Sequence, residues 1–227
     1  MTLDPLSDAK ILDAWQRNAA PWTAAVRGRQ IESRRLVTDR AIVDAVFGRA
    51  PRSVLDLGCG EGWLARALAA QGVRVIGVDA VPALVARARE AGGGDFRVAS
   101  YEDVIAGRLA LTVDAVVCNF SLLGEASVEG LLGALAALLA PGGSLLIQTL
   151  HPAVACGEQP YEDGWRQGSW AGFAGDFADP APWYFRTLAS WLRLLSRHGW
   201  RLLELREPLH PQTQRPASVI FVAQRVA

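Results

Sequence analysis

The 227-residue chain has only three cysteines, Cys59, Cys118 and Cys156, odd in number and far apart. None forms a Cys-x-x-Cys pair, which argues against both a disulfide framework and a cysteine-based metal site, and no metal is expected. Long apolar runs are also missing. No uninterrupted stretch reaches the roughly 18–20 residues that a membrane span requires, so no membrane association is expected. Excess charge of one sign is absent too: 23 basic and 23 acidic side chains cancel, leaving no overall electrostatic footprint for a nucleic-acid partner. The first residues have neither a basic start nor an apolar core, so they read as no secretory leader. These absences together predict a cytoplasmic protein, organised as one domain over residues 1–227.

What is present centres on residues 53–62, Ser-Val-Leu-Asp-Leu-Gly-Cys-Gly-Glu-Gly. A short aliphatic run ends on the carboxylate Asp56, and Gly58, Gly60 and Gly62 alternate after it. Leu64, Ala67 and Leu68 then recur at helical spacing, so strand, tight turn and helix follow in order. Glycines let the backbone turn sharply and approach a ligand with no Cβ in the way, and the helix start beyond them presents free N–H groups. A dinucleotide site places its third glycine inside the helix, where this chain has the bulky Trp63. That departure disfavours a nicotinamide cofactor.

The run Asp56-Leu57-Gly58-Cys59-Gly60-Glu61-Gly62 resembles the first motif of class I S-adenosylmethionine-dependent methyltransferases. The resemblance implies a doubly wound α/β fold with a mostly parallel seven-stranded sheet. It also implies that the loop, with Cys59 and Trp63, runs under the cofactor's amino-acid end, which Asp56 organises.

The remaining elements follow from periodicity. Residues 9–17 and 31–47 read as helices separated by a break at 19–22, giving an N-terminal helical cap over residues 1–50. Trp15 and Trp22 lie there, where the family closes helices over its ligands, although packing of the cap onto the core explains them equally well. Residues 73–78 form a Val- and Ile-rich parallel strand ending in Asp79, 21 residues after Gly58. An acid there suits two ribose hydroxyls, with Ala80 beside it. After the third strand, 95–99, the adenine contact is open among Ser100, Tyr101 and Glu102, and Ser100 serves equally as a helix N-cap. The fourth strand, 113–118, leads into Asn119 and Phe120, which the methyl group should face. A helix over 127–139 and a Pro-Gly-Gly stop precede the fifth strand, 144–150.

Residues 151–185 interrupt this alternation with eight of the chain's eighteen aromatics, spaced by glycine and proline. Such a long structureless loop at a strand's carboxyl end reads as a functional lid or substrate pocket, or else as a packed excursion. Trp183 and Tyr184 are its substrate candidates, and His210, in the 208–216 connection, is another. A helix over 187–197 and strands over 200–206 and 218–224 complete the chain. His151, at a strand's carboxyl end, is the candidate base if the acceptor must lose a proton, though a structural role before Pro152 is equally open.

These features predict methyl transfer from S-adenosylmethionine, with S-adenosylhomocysteine as product, to a small, partly apolar organic acceptor. A non-catalytic binder of the same cofactor and a nicotinamide-dependent oxidoreductase are the alternatives.

Overall fold

A computed structural model describes residues 4–226; residues 1–3, which open the stretch read for a leader, and residue 227 lie outside it. Strands β1 (Ser53–Leu57), β2 (Arg74–Asp79), β3 (Asp95–Val98), β4 (Val113–Asn119) and β5 (Leu139–Thr149) are parallel. A two-stranded antiparallel hairpin, β6 (Gly164–Arg166) and β7 (Trp183–Phe185), stands apart. The last strands, β8 (Trp200–Arg206) and β9 (Val219–Arg225), return antiparallel to complete a seven-stranded sheet in the order β3-β2-β1-β4-β5-β9-β8.

Both faces of this sheet are covered, which is why its inner strands are apolar at almost every position. All five residues of β1 are buried, and their side chains alternate between two cores. Leu55 and Leu57 join Val116, Ile147 and Phe221 on one face, whereas Val54 joins Val117, Leu146 and Val222 on the other.

Among the described residues, eight helices flank the sheet: α1 (Asp8–Arg27), α2 (Asp39–Phe47), α3 (Trp63–Ala69), α4 (Pro82–Ala91), α5 (Tyr101–Ile105), α6 (Ala126–Ala134), α7 (Pro152–Ala155) and α8 (Leu188–Arg197). No described helix is long and apolar enough to cross a membrane.

β5 begins at Leu139 rather than at residue 144, so that Pro141-Gly142-Gly143 lies within the strand, and three further elements differ from the sequence expectation. α1 does not break at residues 19–22 but runs through Pro21 for 20 residues. Proline there removes one helix N–H, and tertiary contacts outweigh that loss. Asn18 donates to Ala14 O (2.8 Å) and Ala178 O (2.6 Å) and accepts from Ala178 N–H (2.9 Å), while Thr23 donates to Ala19 O (2.8 Å). Ahead of α2, Arg34–Thr38 form a wider π-type turn, so the predicted helix over 31–47 carries a bulge. The segment 151–185 is not structureless. It contains α7, the β6–β7 hairpin and a cluster in which Trp170, Phe173 and Phe177 pack edge-on or tilted against one another and against Trp15 of α1.

α1 is consequently a strap fixed at both ends. Asp8 accepts from the N–H groups of Glu125 and Ser127, both at 2.9 Å, and so caps α6, whose own N-cap residue, Glu125, makes no side-chain capping bond. Lys10 and Arg17 pair with Asp179, and Arg27 reaches the buried Glu61 at 2.9 Å. Replacing an N-cap acid by alanine typically costs about 1 kcal/mol. Asp8→Ala is therefore expected to lower unfolding free energy by about that amount, measured by urea denaturation, with the denaturant slope unchanged.

Candidate cofactor and acceptor site

The turn after β1 is built by hydrogen bonds to β2. Val78 O accepts from Gly58 N–H (2.7 Å) and Cys59 N–H (3.0 Å), and Asp79 accepts from Gly60 N–H (2.8 Å) and Val81 N–H (2.9 Å). Each glycine here has positive φ, but they do different things. A Cβ on Gly58 would lie 2.3 Å from Ser121 Cβ, and one on Gly62 would lie 2.9 Å from the Phe96 ring. A Cβ on Gly60 would meet only the Trp22 indole, at 3.8 Å. Gly60 thus keeps the loop open, whereas Gly58 and Gly62 permit close packing.

Above this loop lies a cavity of about 970 Å³. Gly58, Cys59, Gly60, Trp63, Asp79, Ala80, Ser100, Tyr101, Glu102, Asn119 and Phe120 all line it. So do Trp15, Trp22, Trp183 and Tyr184, which the structure brings to the same space.

Four expected site residues lie elsewhere. Gly62 faces Phe96 and Ala88 rather than the cavity. Asp56 is buried behind the loop, with no hydrogen-bond partner for its carboxyl among the described residues, and burial, reinforced by the charge of Asp79, raises its pKa to about 7. His151 is buried outside the cavity wall at the start of α7, with Nε2 2.7 Å from Glu207 Oε1. A short stretch from 149 to 152 carries the wall past it, because Thr149, Leu150 and Pro152 line the cavity and His151 does not. His210 ties its own turn, accepting from Gln212 N–H at Nδ1 (3.4 Å), and is also off the wall.

The three adenine candidates separate by their partners. Ser100 forms a capping box with Asp103, accepting at Oγ from Asp103 N–H while its own N–H donates to the Asp103 carboxylate at 2.7 Å. Tyr101 donates to Ser121 O at 2.9 Å, and burial raises its pKa. Glu102 alone has a side chain with no such commitment among the described residues.

Two arginines escaped the sequence reading. Arg34 projects from the π-type turn, its guanidinium carbon 4.7 Å from the Trp63 ring and 5.9 Å from Trp22. Its Nε donates to Asp39 (2.9 Å), but Nη2 is buried without a partner. Arg186, just past β7, is the second. No spacing in the sequence marks either one; only the turn and the hairpin bring them to the cavity. Asn119 Oδ1 is likewise buried and unpaired at the end of β4, and Phe120 beyond it has φ of 51°, a strained conformation for an aromatic residue. The strain is held by Phe120 N–H donating to Gln148 O (2.8 Å) and Ser121 Oγ donating to Leu57 O (2.7 Å).

A family profile described as a methyltransferase domain matches residues 30–205. The chain belongs to this family.

Relatives agree with that assignment over about half of the chain. A ubiquinone biosynthesis O-methyltransferase from Xylella fastidiosa (strain 9a5c) is 37% identical over 121 residues, covering 50% of this chain and 49% of the relative. One from Xanthomonas axonopodis pv. citri (strain 306) is 40% identical over 114 residues, covering 48% and 47%. The chain thus spans about half the length of the curated relatives it matches. Among solved structures, the DhpI–SAM–HEP complex superposes with a TM-score of 0.67 at 18% identity, covering 99% of this chain and 100% of that one. An S-adenosylmethionine-dependent methyltransferase from Mesorhizobium loti gives 0.60 at 24% identity, covering 80% and 96%. These matches show the class I methyltransferase fold.

The raised pKa of Asp56 has a consequence for stability. A carboxyl that holds its proton more tightly folded than unfolded favours the folded state at low pH and loses that contribution as pH rises from about 4 to about 7. Thermal melts at pH 5 and pH 8 should therefore show the ligand-free protein destabilised at the higher pH. Asp56→Asn should flatten that difference, by at most about 1.4 kcal/mol per pH unit.

Proposed function

We propose that the protein transfers a methyl group from S-adenosylmethionine to a small organic acceptor. The observation that carries this reading is the size and lining of the cavity: at about 970 Å³ it lies at the upper end of ligand pockets, and its wall combines polar groups such as Asp79, Glu102 and Arg34 with the aromatic faces of Trp15, Trp183 and Tyr184. The polar groups fit the donor, and the remaining volume leaves room for an acceptor.

The polar residues of the wall match the donor's parts. Each oxygen of Asp79 accepts one backbone N–H and retains a lone pair for a ribose hydroxyl. Glu102 has a free carboxylate for an exocyclic amine. Arg34, stacked on Trp63 with Nη2 unpaired, offers the charge and the donor that a cofactor carboxylate requires. Asn119 Oδ1 offers an acceptor at the strand end where the methyl would be delivered.

A sulfonium supplies an already activated methyl, so the protein's part is alignment and exclusion of water. Residues 151–185 supply the wall for that purpose: Trp183 and Tyr184 from β7, with Trp170 and Phe173 beyond α1, form an aromatic enclosure around the acceptor. His151, bound to Glu207 away from the cavity, orders the start of α7 and is not assigned the role of base. The free cysteines suit the reducing conditions of a cytoplasm.

S-adenosylhomocysteine should raise the melting temperature and NADH should leave it unchanged. Asp79→Ala is expected to weaken S-adenosylhomocysteine binding by about 2–3 kcal/mol in calorimetry, and Arg34→Ala by about 1.5–3 kcal/mol. Stabilisation by NADH alone would overturn the cofactor reading. A screen of small acceptors for release of S-adenosylhomocysteine then separates an enzyme from a non-catalytic binder.

A further inference from the structure

The cavity wall contains one cation that the cofactor reading does not use. Arg186 follows β7 and lines the cavity, yet it is only 6% exposed. Its guanidinium lies 4.7 Å from the Tyr184 ring and 5.2 Å from the Trp191 ring. Nη1 donates to Gly124 O (2.8 Å) and Nη2 to Glu125 O (2.9 Å). A guanidinium has five N–H donors, so most of its donor capacity has no protein partner among the described residues.

The charge is also uncompensated at contact distance. Tyr184, Asp163, Glu125 and Asp8 are the acidic groups around it. Each carboxylate is engaged elsewhere: Glu125 accepts from the Trp165 indole (3.1 Å), Asp163 from Thr187 N–H (2.8 Å), and Asp8 from the α6 N–H groups. None forms an ion pair with Arg186 among the described residues. Neutral carbonyls and aromatic faces hold the guanidinium in position but do not neutralise it, and a buried cation is costly unless paired. Burial accordingly pushes its pKa down.

Position links this cation to the reaction. Tyr184 N–H donates to Leu123 O at 2.7 Å, which joins β7 to the segment following β4. Arg186, two residues on, clasps the next two carbonyls of that same segment. Arg186, Trp183, Tyr184, Asn119 and Phe120 all line the one cavity, so an oxyanion held here would leave an attached ring or chain in the space that they share.

We propose that the acceptor is a carboxylic acid with an apolar or aromatic body, and that Arg186 is the specificity-determining residue that binds its carboxylate. A planar guanidinium fork matches the two carboxylate oxygens. The inference rests on the methyltransferase reading and names its substrate class.

The test compares benzoate with its neutral isostere benzamide, using calorimetry on protein saturated with S-adenosylhomocysteine. Benzoate is expected to bind at least about tenfold more tightly in the wild type. In Arg186→Gln, which keeps donors for the two carbonyls, that preference should vanish while S-adenosylhomocysteine affinity is unchanged. Equal binding of the two probes, or binding of neither, overturns the proposal, as does a preference that survives in Arg186→Gln. In those cases Arg186 is a clamp on the Gly124 and Glu125 carbonyls and nothing more. If Arg186→Gln fails to fold, the wild-type comparison decides alone. Failure of S-adenosylhomocysteine to bind would strike the cofactor reading instead, and the benzoate–benzamide difference is then read on the ligand-free protein.

Discussion

One backbone carbonyl and one side-chain carboxylate at the end of β2 determine the shape of the site. Val78 O takes the N–H groups of Gly58 and Cys59, and Asp79 takes those of Gly60 and Val81. Four donors that a sharp turn would otherwise leave unsatisfied are bonded without any ligand. The loop is therefore preorganised: it is held open by its own strand neighbour. That arrangement works only because position 58 has no side chain, where a Cβ would lie 2.3 Å from Ser121 Cβ, and because β1 and β2 are adjacent and in register from Ser53↔Arg74 to Leu57↔Val78.

Glu61 extends this constraint to the cap. Its carboxylate is fully buried and is held by Arg66 Nη2 at 2.7 Å and Arg27 Nε at 2.9 Å, so two cations on different helices meet one anion. Removing one partner of such a group would leave an uncompensated buried charge, which is far more costly than losing a surface ion pair. One side chain thus joins the cofactor loop, α3 and the C-terminal end of α1, while Asp8 joins the other end of α1 to α6. The cavity is roofed by a helix whose two ends are fixed by different interactions.

Local chemistry made much of this legible in the sequence. The β1–loop–α3 unit, Asp79 at the end of β2 and the succession of strands and helices through β5 follow from apolar runs, glycines and helix stops, each a short-range signal, whereas the mostly parallel sheet is what the family resemblance implies. Ser100 reads equally as a cofactor contact and as an N-cap, and its two bonds to Asp103, three residues on, give it the cap. The failures share a cause: each depended on contacts distant in sequence. Pro21 reads as a break until Asn18 meets Ala178. Residues 151–185 read as a loop until Trp170, Phe173 and Phe177 find Trp15 and one another. His151 stands at a strand end, as a base would, but the chain turns its ring towards Glu207. Arg34 and Arg186 look like ordinary arginines among many. Only the π-type turn and the β6–β7 hairpin deliver them to the cavity.

The clamp between α1 and the insertion has an unexpected chemical property. Lys10 is the sole lysine in the chain. Its ammonium pairs with Asp179 and Asp13, and these hydrogen bonds raise its pKa, Asp179 contributing most. A protonated, paired amine is a poor nucleophile. An amine-directed reagent therefore has one side-chain target in the whole protein, and parting of α1 from Asp179 would remove the larger of the two hydrogen bonds that hold its proton. The molecule carries a built-in, single-site reporter on the state of its own roof.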